Sequence, residues 1–134
     1  MSNKNVDLIK TAYGHFKTGN MPAVLEMLSP DVSWGMIGRP HDVPMAGIRK
    51  GKQGALDFFK TLNEVQELKE FAPQKFMGED DTVVIIGHTK WKMNKSGIEG
   101  ENDWVHVFTI EDGLVTSFRG HQDTGLLAEA YHGR

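Results

Sequence analysis

The sequence predicts an α+β domain, with helices gathered in the first half of the chain and strands in the second. Three observations carry this. Val6, Ile9, Ala12, Tyr13 and Phe16, and later Ala55, Leu56, Phe58, Phe59, Leu62 and Val65, recur at the spacing of one helix face. After Leu68 the apolar period falls to two. Glu111-Asp112-Gly113 then supplies a hairpin signal between two alternating runs. Helices followed by hairpin-linked strands form segregated layers rather than a βαβ weave.

The first helix runs from about Val6 to Gly19-Asn20, which read as its C-cap. Gly14 inside it costs roughly 1 kcal/mol relative to Ala, which points either to close packing or to a tolerated defect. A second, shorter helix spans about Pro22 to Leu28, with Pro22 suited to the first turn and Val24, Leu25 and Leu28 inward. Val32 to Ile37 reads as a short strand, weakened by Gly35. The segment from Gly38 to Gly54 looks irregular, with Pro40, Pro44 and four glycines. It also carries Val43, Met45 and Ile48, so it is expected to fold over something apolar. The helix around Ala55 to Val65 follows. Four strands come next: Leu68 to Met77, bent near Pro73; Thr82 to Met93; Glu99 to Ile110; and Leu114 to Asp123. A short helix, Leu126 to Tyr131, closes the chain. No repeat, low-complexity tract or linker interrupts it, so 1–134 is expected to be one domain.

Composition narrows the functional classes. A chain of 134 residues can bury a real core. A net charge of −3 with scattered Lys and Arg argues against nucleic acid, which needs a clustered basic surface. The densest basic run, Arg49-Lys50-Gly51-Lys52, is short and sits at a helix start, where a solvated loop is the simplest reading. With no cysteine, disulfides and thiolate chemistry are excluded. The six histidines show no tight ligand spacing, so no metal site is expected, and no cofactor motif is present. No stretch approaches the ~20 apolar residues of a membrane span, and the N-terminus lacks a signal-peptide apolar run. A cytoplasmic protein is the expectation.

The stretch Asn102 to Phe108 carries the most chemistry. As a strand it places Asn102, Trp104, His106 and Phe108 on one face. A face that only filled a core would need neither an amide nor an imidazole. A strand lining a mostly apolar pocket with a few polar groups has this character.

Several local patterns, in order, resemble the NTF2-like superfamily, in its SnoaL-like and ketosteroid-isomerase-related branch. They are Gly19-Asn20 followed by Leu25-x-x-Leu28-x-x-Asp31-Val32-x-Trp34; Val43-Pro44-x-Ala46-Gly47 followed by Lys50-Gly51 and Phe58-Phe59; and Trp104-x-His106-x-Phe108, Asp112-Gly113 and Arg119-x-His121-x-Asp123. The resemblance spans nearly the whole chain. It implies a cone in which a strongly curved antiparallel sheet wraps the N-terminal helices around an internal pocket, and a homodimer packed through the outer sheet face. Relatives include isomerases, cyclases, epoxide hydrolases, dehydratases and binding domains, so fold does not give function.

Aligned on the ketosteroid isomerases, whose apparatus is an Asp base with Tyr and protonated-Asp oxyanion donors, the base position falls on Met36. The Tyr position falls on Ala12, one residue before Tyr13, and the acid position on His106. The Arg-Asp-x-x-Asp pattern of cyclases and epoxide hydrolases reads here Arg119-Gly120-His121-Gln122-Asp123. The usual catalytic carboxylates are not in place.

The resemblance and the strand pattern together nominate a pocket lined by Trp34, Met36, Phe58, Trp104, His106, Phe108, Phe118 and Gln122, with the loop from Gly38 to Gly47 at its mouth. His106 is the candidate proton-transfer residue. Asn102 or Tyr13 is the candidate hydrogen-bond donor, and His41 a candidate contact from the loop, although a solvated histidine is the simpler reading. Tyr13, out of register, could equally serve in packing or on the helix surface. If Phe118, Gly120 and Gln122 face inward, Arg119, His121 and Asp123 face the dimer side, with Arg119 and Asp123 as a structural pair. Three functional classes remain open at this point: acid–base turnover of a small apolar carbonyl, epoxide or polyketide-like molecule; non-catalytic binding of such a molecule; and a scaffold whose sheet face binds a partner.

Overall fold

The structure, a computed structural model, describes residues 3–133. Helix α1 (Lys4–Lys17) and helix α2 (Met21–Glu26) lead into strands β1 (Leu28–Met36) and β2 (Gly47–Lys50). Helix α3 (Gly51–Val65) follows, then β3 (Gln66–Glu79), β4 (Thr82–Met93), β5 (Glu99–Glu111), β6 (Leu114–Gln122) and helix α4 (Thr124–His132). The six strands form one sheet in the order β2-β1-β6-β5-β4-β3. Its inner face and the helices enclose an apolar core, from Ile9 and Tyr13 of α1 to Leu127 and Ala130 of α4.

Local chemistry explains the boundaries. The Asn3 side chain accepts hydrogen bonds from the Asn5 and Val6 amides, Asn20 from Ala23, and Asp123 from Leu126, so three helices start on the side-chain caps that their orphan N–H groups require. Asp112 and Gly113 both take positive φ, 52° and 78°, the geometry of the two-residue hairpin turn that matches strand twist. β4 alternates strictly, with Val83, Ile85, Gly87, Thr89, Trp91 and Met93 buried and the intervening side chains facing out. β3 bends through register shifts between Leu68 and Glu70 and between Pro73 and Lys75, as the proline predicts.

Several features differ from the sequence expectation. β1 begins at Leu28, and it pairs in parallel with β6, so the otherwise antiparallel sheet carries one parallel ladder. The segment read as irregular holds a four-residue strand, β2, bounded by Gly47 and Gly51 at φ 105° and 75°. Four residues are too few to show a period, which is why the pattern hides it. The same segment does fold inward: Val43, Met45 and Ala46 are buried. The Arg49 guanidinium holds the turn by donating to the carbonyls of Pro44 (3.2 Å) and Met45 (3.0 Å), a structural role within a run read as solvated. Gly35 is no defect in β1. A methyl group there would collide with the Gly47 carbonyl of the adjacent strand.

At Gly14 the second of the two readings holds. It is exposed, and an added Cβ would meet nothing within 4 Å. It is a tolerated helix defect and not a packing site. Gly14→Ala is therefore expected to stabilise the protein by about 0.5–1 kcal/mol, through lower unfolded-state entropy. Urea unfolding would show this as a higher midpoint at unchanged slope; a lower midpoint would mean the helix is packed there. Among the described residues no helix is long and apolar enough to cross a membrane.

Candidate functional site

The site is built on β5 and its two neighbours. Trp104 lies opposite Gly87 of β4 and Gln122 of β6, His106 opposite Ile85 and Gly120, and Phe108 opposite Val83 and Phe118. Both glycines make room. The Trp104 ring lies across Gly87, where a Cβ would come within 2.6 Å of Cε2. At Gly120 a Cβ would sit 3.3 Å from Phe118 Cζ and 3.6 Å from His106 Cδ2. Aromatic rings covering glycines on the next strand are a known way to floor a sheet.

The rings then stack in a column. His106 stacks on Trp104 at 3.9 Å between centroids, and Trp104 stacks on Phe71 of β3 at 5.0 Å. Phe118 meets His106 edge-on at 4.9 Å. From the opposite wall α1 delivers Tyr13, whose Oη lies 2.6 Å from His106 Nδ1.

These residues line a cavity of ≈ 90 Å³. Of the residues nominated from sequence, Tyr13, Trp34, Phe58, Trp104, His106, Phe108, Phe118 and Gln122 lie in its wall. Tyr13 is thus buried at the site and not on the helix surface. Three nominated residues stand elsewhere. Met36 is buried behind the wall, where its Sδ accepts from Gln122 Nε2 at 2.8 Å. Asn102 is spent internally: its Oδ1 accepts from Trp91 Nε1 (2.7 Å) and its Nδ2 donates to Gln122 Oε1 (3.0 Å) and to the Asp103 carbonyl. It holds Gln122 in place and has no free donor for a ligand. His41 is exposed on the surface loop beside Asp42. No residue of the Gly38–Gly47 loop lines the cavity, because that loop uses its apolar side chains to fill the core.

Besides His106 and Gln122, the half-buried part of the wall is Ala12 and Phe16 from α1, Leu62 from α3, and Leu68 and Phe71 from β3. Gln66 and Leu68 also border a surface cleft with Asn63, Glu67 and Asn94. The thin side of the cavity is therefore the corner between α3 and β3. Sequence reading missed Gln66, Leu68 and Phe71. The register shift between Leu68 and Glu70 changes the phase of the alternation, which puts Leu68 and Phe71 on one wall although their spacing is odd.

Among the described residues, no Lys, Arg, Asp or Glu stands in the wall. Burial, with the His121 charge as a lesser cause, lowers the His106 pKa to about 3, and burial pushes the Tyr13 phenol above its ordinary range. Both groups are neutral at physiological pH. The buried phenol needs an acceptor, and Nδ1 is the one within reach. Tyr13 therefore donates, Nδ1 accepts, and the ring proton sits on Nε2.

The outer sheet face differs. His88 contacts Asp103 (2.7 Å) and Glu101 (2.9 Å), and these carboxylates raise its pKa. Arg119 and Asp123 do not pair. Arg119 donates to the Ser33 carbonyl and hydroxyl and to the Phe118 carbonyl, while Asp123 caps α4. The strand ends at Gln122, so Asp123 has already turned into the helix start. Among the described residues no group of three or more His, Asp or Glu is placed to hold a metal.

A curved sheet folded over helices around an aromatic cavity is the NTF2-like architecture. The chain belongs to the SnoaL-like domain family, whose model matches residues 9–118. No curated protein matches it. Solved structures agree over nearly the full length. An NTF2-like protein of unknown function from Burkholderia pseudomallei is 23% identical, with a TM-score of 0.88 over 97% of this chain and 98% of that one. An NTF2-like protein from Burkholderia xenovorans is 26% identical, with a TM-score of 0.87 over 98% of both chains. TerC, co-crystallised with polyporic acid, is 24% identical, with a TM-score of 0.83 over 97% of this chain and 99% of that one.

Proposed function

We propose that this protein binds a small, largely apolar molecule in the cavity, with the Tyr13–His106 pair as its main polar contact. The observation that carries this reading is the neutral, hydrogen-bonded pair inside an uncharged aromatic wall. Ligand sites combine apolar lining with a few fixed polar groups, and Tyr13 fixes the His106 tautomer so that Nε2 is a donor. That TerC was crystallised with polyporic acid is consistent with a small-molecule ligand in this fold.

Thermal-shift screening against small carbonyl compounds, epoxides and aromatic polyketide fragments tests the reading, followed by mass spectrometry of each hit. A hit recovered intact supports binding. Absence of any stabilising compound would sink it. Tyr13→Phe is expected to weaken a bound hit by about 5–10-fold, the loss of one hydrogen bond from the pair, measured by calorimetry.

Acid–base turnover is the second reading. A base with a pKa of about 3 is poorly matched to proton abstraction near neutral pH, and no carboxylate among the described residues lines the wall. The chemistry that this geometry favours is polarisation of a carbonyl oxygen by neutral Nε2–H, with Tyr13 behind it. A chemically altered hit whose turnover disappears in His106→Ala would replace the binding reading with this one.

The outer face of the sheet exposes Val84, Ile86, Val105 and Val107 in part, and a second copy of the chain is the proposed cover for this face. Sedimentation analysis of the purified protein checks it, with a monomer at all concentrations as the contrary result.

A further inference from the structure

The three buried side-chain polar atoms that lack a hydrogen-bond partner among the described residues are Trp34 Nε1, Trp104 Nε1 and Gln66 Oε1. All three belong to residues that line the cavity. Buried polar groups are normally satisfied, and each one left unpaired costs about 1–3 kcal/mol. Their concentration here is not a property of tryptophan or glutamine in this fold. The third tryptophan, Trp91, is equally buried and donates to Asn102 at 2.7 Å, and Gln122 is bonded through both its amide atoms. Tyr13 and the Nδ1 of His106 satisfy each other, and Thr89 donates to the Glu70 carbonyl. The residues around the cavity therefore hold two indole donors and one amide acceptor without partners, beside the His106 Nε2–H.

We infer that the ligand is a neutral aromatic molecule of about one ring, with acceptor oxygens for Trp34 and Trp104 and a hydroxyl for Gln66. This rests on the small-molecule reading above and adds the chemistry of the ligand. Three donors against one acceptor call for carbonyl and phenol oxygens more than for amines. The uncharged wall disfavours a carboxylate, which would be buried without a cation. Size sets the ring count. The cavity, ≈ 90 Å³, is smaller than the ~150 Å³ apolar cavity that admits benzene, so even one ring requires the half-buried side chains of Phe16, Leu62, Leu68 and Phe71 to yield.

The test uses the three indole N–H signals of the ¹⁵N-labelled protein, assigned by single Trp→Phe variants. The probes are 4-hydroxyacetophenone, 4-ethylphenol, which lacks the carbonyl, and 4-hydroxybenzoate, which is an anion. Hydroxyacetophenone is expected to move the Trp34 and Trp104 signals and leave Trp91 in place. Ethylphenol should bind at least about tenfold more weakly, the cost of an unmet donor, and hydroxybenzoate should bind more weakly still. Ethylphenol binding as tightly, hydroxybenzoate binding more tightly, or a moving Trp91 with fixed Trp34 and Trp104 would overturn the assignment while leaving a small-molecule pocket intact. No shift and no stabilisation with any of the three would overturn the assignment; the small-molecule reading falls only if the wider screen also yields no stabilising compound. Gln66→Leu should abolish the preference for hydroxyacetophenone over 4-methoxyacetophenone; an unchanged preference removes Gln66 from the ligand contacts.

Discussion

Between about pH 6.5 and pH 4 the protein is expected to lose about 3 kcal/mol of stability through His106 alone. In the unfolded chain this imidazole takes up a proton near its ordinary 6.5; in the folded protein it resists until about 3. Its folded pKa is lowered, so the unfolded state binds the extra proton throughout this window. The contribution is fully present above 6.5 and falls away as the pH drops, at about 1.36 kcal/mol per unit. The cause is burial beneath Trp104 and against Phe118, with the His121 charge as a lesser one. His88 works in the other direction. Its folded pKa is raised, so its contribution is present below 6.5 and is lost as the pH rises through the folded value, but it is solvent-exposed and screened. Urea unfolding of the wild type and His106→Asn at about pH 7, 5 and 4 separates the terms. The gap between the two proteins should close, or reverse, by about 3 kcal/mol on acidification. Parallel pH profiles would show that His106 is not held neutral.

Gly87→Ala should damage the site more than a single methyl group suggests. The added Cβ would come 2.5 Å from Trp104 Cη2 and 2.6 Å from Cε2, closer than such atoms pack. β4 cannot retreat, since it is hydrogen-bonded on both sides to β3 and β5. The indole must lift into the cavity, which breaks its stacking on Phe71 and His106. We expect a loss of about 1–3 kcal/mol, the usual cost of overpacking, together with loss of ligand binding. Thermal unfolding and repetition of the indole spectra measure both. A stable variant with unmoved Trp104 would show that the close approach to Gly87 is not a constraint. Adding Trp104→Phe to Gly87→Ala exchanges the indole for a smaller ring and should recover part of the stability.

Much of this was legible in the chain because it depends on local period. The alternation Asn102, Trp104, His106, Phe108 places those four side chains on one sheet face whatever surrounds the strand. The helix faces of α1 and α3 follow equally from spacing, and Asp112-Gly113 from backbone sterics. Asn102 shows where period stops being enough. It shares the inner face with Trp104 and His106, yet its amide is used by Trp91 and Gln122. A pattern gives the face of a residue but not its partners.

Tyr13 shows the same limit from the other side. Its off-by-one position relative to the isomerase pattern suggests a structural residue, yet α1 places its hydroxyl on His106 at 2.6 Å. That distance depends on how a helix packs across a sheet, over 93 residues of sequence separation. The bulge in β3 that brings in Phe71, the parallel seating of β1 beside β6, and the inward folding of Val43 and Met45 are likewise set by long-range contacts. The sequence by itself determined the α+β class, the order of its elements and the strand that carries the imidazole, because these rest on interactions between near neighbours. Only the tertiary structure decided that burial favours the neutral form of this imidazole, which partner holds it, and which polar atoms around the cavity lack one, because burial and hydrogen-bond pairing arise when distant segments meet.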